Sequence, residues 1–218
     1  MSCKFTLAIF DMDGVITDSE PIHNEVRDGL LLAHSLTGQV IARHDPTGKS
    51  TLEDYRYYTE HMPMDITAEE LERTHYRQVL EGIRAKRPEP VEGFLKALDD
   101  LEAAGLKLAV ASSSPAYYVN TVLELYGITR RFCAVAAGDM VPRVKPAPDV
   151  YELALRLAGV SPDKAFAVED SRTGATAAKA AGLFALGYTA PAPYPQDLSN
   201  CDACAARMGD VWEVVRKA

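Results

Sequence analysis

The chain has 218 residues, of which 47% are hydrophobic and 25% are charged. This is an ordinary globular composition, which excludes a mainly disordered chain and a fibrous protein. The formal net charge of −8 gives an acidic surface that repels phosphate backbones, so we expect no binding to nucleic acid. At this length we expect one domain, or one domain with a sizeable insertion.

The apolar segments near the start of the chain are short. The longest, Phe5–Phe10, is too short to span a membrane or to form the core of a signal peptide. We therefore expect a cytoplasmic protein that makes no membrane contact. The cysteines are then expected to be thiols, and we assign the spacing of Cys201 and Cys204 to chance, because no second pair of metal ligands accompanies it.

Five apolar segments have the continuous pattern of strands that are covered on both faces of a sheet. Helical patterns that end at or next to glycine lie between most of them. This alternation predicts an α/β fold with a doubly wound parallel sheet. The predicted strands are Phe5–Phe10, Leu106–Ala111, Phe132–Ala137, Ala165–Val168 and Leu183–Tyr188, and the predicted helices are Phe94–Ala104, Tyr117–Tyr126, Asp149–Ala158 and Thr173–Ala181.

The stretch between residues 15 and 90 has no comparable strand pattern. It shows three helical patterns instead, at Pro21–Leu36, Ser50–His61 and Ala68–Ile83. A helical insertion directly after the first strand predicts a second, smaller domain. We expect residues 1–14 and 91–218 to form the α/β core and residues 15–90 to form the helical domain.

Polar side chains follow the predicted strands at their carboxyl ends, which lie at one edge of a parallel sheet. Asp11 and Asp13 follow the first strand, Ser112–Ser114 the second and Glu169-Asp170 the fourth, while Lys145 lies in the loop after the third. Clustered carboxylates repel one another unless a cation or a proton compensates them. Oxygen ligands favour Mg²⁺, which attracts phosphate. One carboxylate can then act as a nucleophile and a second as an acid or base.

Four motifs in this order resemble those of the haloacid dehalogenase-like hydrolases, and more closely those of the sugar-phosphate phosphatases and β-phosphoglucomutases. The resemblance covers nearly the whole chain. It implies a Rossmann-like core with a helical cap, Mg²⁺ as the cofactor and a small phosphorylated metabolite as the substrate; we further expect a monomer or weak dimer. The motifs are Asp11-Met-Asp-Gly-Val-Ile-Thr17, Ala111-Ser-Ser-Ser-Pro115, Val144-Lys-Pro-Ala-Pro-Asp149 and Val168-Glu-Asp-Ser-Arg-Thr-Gly174.

The resemblance also implies roles for the acidic residues of these motifs. Asp11 would be the nucleophile that forms an aspartyl-phosphate, and it would bind the metal. Asp13 would be the general acid and base, with its backbone carbonyl on the metal. Asp170 would complete the protein ligands, with Glu169 as a direct or water-mediated contact. Dehalogenases of the superfamily lack the second aspartate, so Asp13 argues against dehalogenation.

The remaining motif residues are expected to bind the phosphoryl group. Ser112 would hydrogen-bond a phosphoryl oxygen, Ser113 would help to bind the substrate, and Lys145 would neutralise charge between nucleophile and phosphate. A glycine commonly precedes this lysine in the family, whereas this chain has Val144. We expect this difference to change the path of the loop and not the chemistry.

The helical insertion resembles the cap of the same subfamily and contributes three candidate substrate-binding residues, His23, Lys49 and Ser50. Most β-phosphoglucomutases carry an arginine just after this serine, where the chain has Thr51. The sequence therefore favours a phosphatase, with a β-phosphoglucomutase-like mutase as the alternative. The tyrosines of the insertion, among them Tyr55, are expected to pack its helices together more than to line a sugar pocket.

Overall fold

The computed structural model describes residues 3–34, 37–38, 50–189 and 196–218. The chain divides into two compact units. The first consists of Met1–Asp18 and Glu89–Ala218, and the second, called here the helical unit, of Ser19–Pro88. The sequence predicts these boundaries after residues 14 and 90, whereas the structure places them after residues 18 and 88.

Six strands form the sheet of the first unit. They are β1 (Leu7–Phe10), β2 (Lys107–Ala111), β3 (Ala134–Ala136), β4 (Ala165–Glu169), β5 (Phe184–Tyr188) and β6 (Ala203–Ala205). Every pairing is parallel, and the order is β3-β2-β1-β4-β5-β6. The strand order reverses between β1 and β4, which is where doubly wound sheets place their ligands. The predicted α/β fold is thus confirmed.

Eight α-helices occur in the described ranges, and none of them is both long and apolar enough to cross a bilayer. The helical unit contains α1 (Glu20–Ala33), α2 (Thr51–His61) and α3 (Ala68–Lys86). The first unit contains α4 (Phe94–Ala103), α5 (Ala116–Leu125), α6 (Asp149–Ala158), α7 (Arg172–Ala180) and α8 (Val211–Val215).

Helices cover both faces of the sheet, which explains why its strands read as continuous apolar segments. On one face, buried residues of α6 and α7, such as Tyr151 and Ala177, share a core with Leu7 and Ile9 of β1. On the other face, the ring of Phe94 in α4 meets the ring of Phe10 edge-on, with centroids 5.4 Å apart. The central strand β1 has no exposed residue.

The structure adds two elements to the sequence prediction and corrects the ends of two helices. The strand β6 and the helix α8 were not predicted, because three and five residues are too short to show a period. Helix α1 ends at Ala33 and not at Leu36. Helix α3 continues beyond Ile83 to Lys86, with basic residues in its last turn that complement the helix dipole.

The helical unit is held together by its own apolar core and by side-chain caps. Leu31, Tyr55 and Tyr58 are buried in this core, as the packing role expected for the tyrosines requires. Ser50 and Thr67 each form a capping box with the glutamate three residues later, at the start of α2 and of α3. The amino ends of both helices are therefore fixed within the unit.

The absence of a side chain at Gly187 in β5 makes room for the two nearby thiols. All four cysteines are free, as expected. A Cβ at Gly187 would lie 3.0 Å from Cys201 Sγ and 3.1 Å from Cys204 Sγ, which is closer than a well-packed core allows without displacement. A side chain at this position would therefore force the neighbouring thiols to shift.

We predict that Gly187→Ala lowers the free energy of unfolding by about 1–3 kcal/mol, because the new methyl group displaces both sulfurs. Urea denaturation followed by circular dichroism measures this loss. Adding Cys204→Ala should restore part of it. The matched control is Gly29→Ala in α1, where a Cβ would meet nothing within 4 Å, and which should stabilise by about 0.5–1 kcal/mol. A neutral Gly187→Ala would contradict the packing argument.

Candidate active site

The candidate site lies where β1 and β4 end, at the reversal of strand order. Phe10 pairs with Val168, and the N–H of Asp11 donates to the Val168 carbonyl at 3.1 Å. Asp11 therefore lies beside Glu169, the last residue of β4. The parallel register brings together two acidic residues that are far apart in the sequence.

The buried ammonium group of Lys145 connects these strands. Nζ donates to Asp11 Oδ1 at 2.6 Å, to Glu169 Oε1 at 2.6 Å and to the Ala111 carbonyl at 2.9 Å. An ammonium group has three N–H donors, so all three are used. Burial acts to lower the pKa of Lys145, but the charges of Asp11 and Glu169 outweigh it and raise the pKa above its usual value. The lysine therefore stays charged.

Glu169 is fixed from two further sides. The Tyr151 hydroxyl donates to its Oε1, and the Ser171 hydroxyl donates to its Oε2 at 3.1 Å. The residue has no exposed surface. A buried carboxylate is tolerated only with such partners, and they leave it one orientation.

Asp11, Glu169 and Asp170 form a cluster in which one oxygen from each lies within 4.8 Å of the others. Burial raises the pKa of Asp11 to about 7, and burial together with the charges of Asp11 and Glu169 raises that of Asp170 well above its usual value. Lys145 brings one positive charge against these three carboxylates. The oxygen-only donors and the excess negative charge fit a hard divalent cation such as Mg²⁺.

The backbone at Gly14 lies very close to one member of this cluster, Asp170. Gly14 has φ +83°, a conformation that favours glycine, and a Cβ there would overlap the Asp170 carboxylate. The turn that contains it is tightened by two N–H donors, of Ile16 and Thr17, that share the carbonyl of Met12. Glycine in this motif thus serves the close approach of the backbone to Asp170.

Two hydroxyl groups orient the second aspartate of the motif, Asp13. Ser114 Oγ donates to Asp13 Oδ2 at 2.9 Å, and Tyr118 Oη donates to Asp13 Oδ1 at 2.8 Å. Each carboxylate oxygen therefore has a donor of its own. The side chain is therefore oriented by the loop after β2 and by α5.

The two predicted serines occupy the turn after β2, next to β1 in the sheet. Ser112 is buried, its N–H donates to the Ala136 carbonyl at 3.0 Å, and its hydroxyl accepts from the N–H of Ser114 at 3.0 Å. Ser113 is half-buried. The turn is thereby fixed at the edge of the sheet that carries Asp11.

Sequence reasoning missed Tyr151, Tyr118 and Ser114, which contact the predicted acidic residues. Nothing in the sequence distinguishes the two tyrosines from others on apolar helix faces. Ser114 was visible as the third serine after β2, but the motif alone does not show which hydroxyl meets Asp13.

Two of the three predicted cap residues have contacts within the helical unit. His23 and Ser50 belong to the helical unit, where His23 contacts His75 and Ser50 caps α2. Lys49 lies outside the described residues.

Known proteins resemble this chain over most of its length. A family model of haloacid dehalogenase-like hydrolases matches residues 5–182. YhcW of Bacillus subtilis, whose name gives a provisional phosphatase assignment, is 34% identical over 182 residues, covering 80% of this chain and 79% of that protein. The fructose-1-phosphate phosphatase YqaB of Escherichia coli is 31% identical over 185 residues, covering 84% of this chain and 96% of that protein.

A solved structure shows the same likeness in three dimensions. It is a mutant of CbbY from Rhodobacter sphaeroides in complex with xylulose-(1,5)bisphosphate. The two chains are 25% identical with a TM-score of 0.83, and the match covers 94% of this chain and 96% of that one. The likeness therefore includes the sheet and the helical unit.

The raised pKa values of Asp11 and Asp170 predict how stability depends on pH. The folded protein binds these protons more tightly than the unfolded chain, so the metal-free protein becomes less stable as the pH rises above about 4, through the pKa of about 7 of Asp11 and through the raised pKa of Asp170. Asp170→Asn removes one of the charges. In EDTA, we expect this variant to be about 1–3 kcal/mol more stable than the wild type at pH 8, and the gain to shrink towards pH 5.

Urea denaturation at the two pH values tests this expectation. The control is Asp99→Asn, an exposed carboxylate on α4 whose loss should change stability by less than about 1 kcal/mol at either pH. An Asp170→Asn variant that is no more stable than the wild type at pH 8 would show that the cluster is not electrostatically strained.

Proposed function

The chain belongs to the haloacid dehalogenase-like hydrolases, and we propose that it is a Mg²⁺-dependent phosphatase that acts on a small sugar or polyol phosphate through an aspartyl-phosphate. The observation that carries the proposal is the buried contact of Lys145 with Asp11 and Glu169 at the reversal of strand order. It holds a carboxylate, a cation and further carboxylates where a phosphoryl group can bind. The phosphatase names of the relatives YhcW and YqaB support the same reaction.

Four residues are the candidates for holding the metal. The carboxylates of Asp11 and Asp170 would bind it directly, Glu169 directly or through water, and Asp13 through its backbone carbonyl. Bound Mg²⁺ would offset the negative charge of the phosphoryl group and of the carboxylates around it. The pKa values of Asp11 and Asp170 are raised without a metal, and the positive charge of a bound metal would lower them again.

In the first half-reaction, a carboxylate oxygen of Asp11 attacks phosphorus, and the bond from phosphorus to the leaving oxygen breaks. Asp13 gives a proton to that oxygen. In the second half-reaction, Asp13 takes a proton from water, which attacks phosphorus and releases Asp11 and inorganic phosphate. Lys145 stays charged throughout and offsets charge on the phosphoryl oxygens, which Ser112 and Ser113 would bind.

The helical unit has the role of a cap in this proposal. His23, Lys49 and Ser50 are its candidate substrate-binding residues. Thr51 favours hydrolysis over transfer to a second sugar, because a threonine cannot hold a distal phosphate as the planar fork of an arginine does. Its hydroxyl lies 3.1 Å from the Tyr76 hydroxyl, within the helical unit.

We predict net release of inorganic phosphate from a sugar or polyol phosphate, with no isomerised sugar phosphate accumulating. A panel of phosphomonoesters with phosphate detection identifies the substrate class. Incubation with β-glucose-1-phosphate and coupled detection of glucose-6-phosphate tests the mutase alternative in parallel. Formation of glucose-6-phosphate faster than free phosphate would decide for the mutase.

Asp11→Asn should lower kcat by at least about 10³-fold, because the amide keeps the shape of the carboxylate but is a far weaker nucleophile. Freshly purified protein is needed, since deamidation would restore the aspartate. Asp99→Asn serves as the control and should keep full turnover. Substantial activity in Asp11→Asn would contradict the assignment of the nucleophile.

Addition of Mg²⁺ should raise the melting temperature, and by more at pH 8 than at pH 5, because the carboxylates must lose their protons to bind. EDTA should abolish turnover and Mg²⁺ restore it, while Ca²⁺ should not restore it because of its larger and looser coordination. Asp170→Asn should lose the Mg²⁺-dependent stabilisation. Full activity in EDTA would overturn the ligand assignment.

A further inference from the structure

Tyr55, His75 and His23 are linked by two hydrogen bonds inside the helical unit. Tyr55 Oη lies 2.8 Å from His75 Nδ1, and His75 Nε2 lies 2.8 Å from His23 Nδ1. Tyr55 has no exposed surface and His75 is 3% exposed, whereas His23 is half-buried. The contacts join α2, α3 and α1, and they lead from a buried hydroxyl to a ring that solvent or a ligand can reach.

The proton of the Tyr55 hydroxyl decides the direction of the first hydrogen bond. Among the described residues, His75 Nδ1 is the hydrogen-bond partner of this hydroxyl. A buried O–H that donates to nothing costs free energy, and an imidazole nitrogen is a better acceptor than a phenol oxygen. Burial and the carboxylate of Asp54 raise the pKa of Tyr55, so the hydroxyl keeps its proton. Tyr55 therefore donates and His75 Nδ1 accepts.

The direction of the second hydrogen bond follows from the first. A neutral imidazole has one N–H and one acceptor nitrogen, so a His75 that accepts at Nδ1 carries its proton on Nε2. Nε2 then donates to Nδ1 of His23. His23 accepts there and, when neutral, carries its own proton on Nε2.

We infer that Tyr55 and His75 are positioning residues that fix the tautomer of His23, so that its Nε2 is an N–H donor for a phosphate oxygen of the bound ligand. The opposite tautomer would present a lone pair, which repels the lone pairs of an ionised phosphate oxygen. The inference rests on the proposed function for the ligand alone. The tautomer itself follows from the three residues and holds whether or not a phosphomonoester is the substrate.

The first test is the tautomer of His23 in the full-length protein without ligand. Two-bond ¹H–¹⁵N correlation spectra of the protein labelled in its five histidines report which nitrogen of each ring carries the proton. The variants His23→Gln and His75→Gln assign the two spin systems. We expect Nε2–H on both rings near neutral pH, and a proton on His23 Nδ1 in the wild type would overturn the inference.

The second test removes the hydroxyl that sets the direction. Tyr55→Phe should leave His75 free to take either tautomer, so His23 should show the Nδ1–H form in part or in full. Tyr58→Phe loses the same hydroxyl from the same helix, at a residue that is also buried, and should leave the spectrum of His23 unchanged. An unchanged His23 tautomer in a folded Tyr55→Phe would overturn the inference.

The kinetic consequence separates positioning from a purely structural role. For the sugar or polyol phosphate that the wild type hydrolyses, Tyr55→Phe should raise KM about three- to tenfold and change kcat less than about twofold. Tyr58→Phe should change neither. An unchanged KM in Tyr55→Phe would count against the inference. If the wild type hydrolyses no phosphomonoester, the proposed function fails, and the spectra still decide the tautomer.

Discussion

The buried ammonium group of Lys145 is the contact on which the candidate site depends. It joins the end of β1 to the ends of β2 and β4 through Asp11, the Ala111 carbonyl and Glu169. Without it, two buried carboxylates would face each other in a medium of low dielectric constant. The lysine thus keeps the three central strands compatible with an acidic edge, and in the proposed mechanism the same charge offsets that of the phosphoryl group.

The residues around Lys145 show how stability and chemistry share one set of contacts. The hydroxyls of Tyr151 and Ser171 donate hydrogen bonds to Glu169, so the orientation of that carboxylate is fixed without a ligand. Burial and neighbouring negative charges raise the pKa of Asp170, and the backbone of Gly14 lies close to its carboxylate. Part of the cluster is therefore rigid and satisfied, and part is strained until a counter-charge binds. The fixed part of the cluster preorganises the site, and the strained part favours the binding of a cation.

Much of the fold could be predicted because the strands are covered on both faces and therefore read as continuous apolar segments. Asp11, Lys145, Glu169 and Asp170 could be placed together because parallel strands align their carboxyl ends. The strand β6 and the helix α8 could not, since three or five residues carry no period. The contacts of Tyr118 with Asp13 and of Tyr151 with Glu169 also escaped, because the direction of a helix side chain depends on how the helix packs.

The order of the strands also determines when the site can form as the chain leaves the ribosome. Strand β1 is made first, but its partners are β2 and β4, and Ala165–Glu169 emerges only after the entire helical unit. Lys145 and Asp11 are 134 residues apart in sequence. The helical unit is a contiguous segment whose contacts are more local, so it can fold while β1 is still unpaired. The nascent chain therefore carries an apolar, aggregation-prone strand at least until β2 emerges, and the later pairing of β4 with β1 completes its burial and assembles the acidic cluster in the same event.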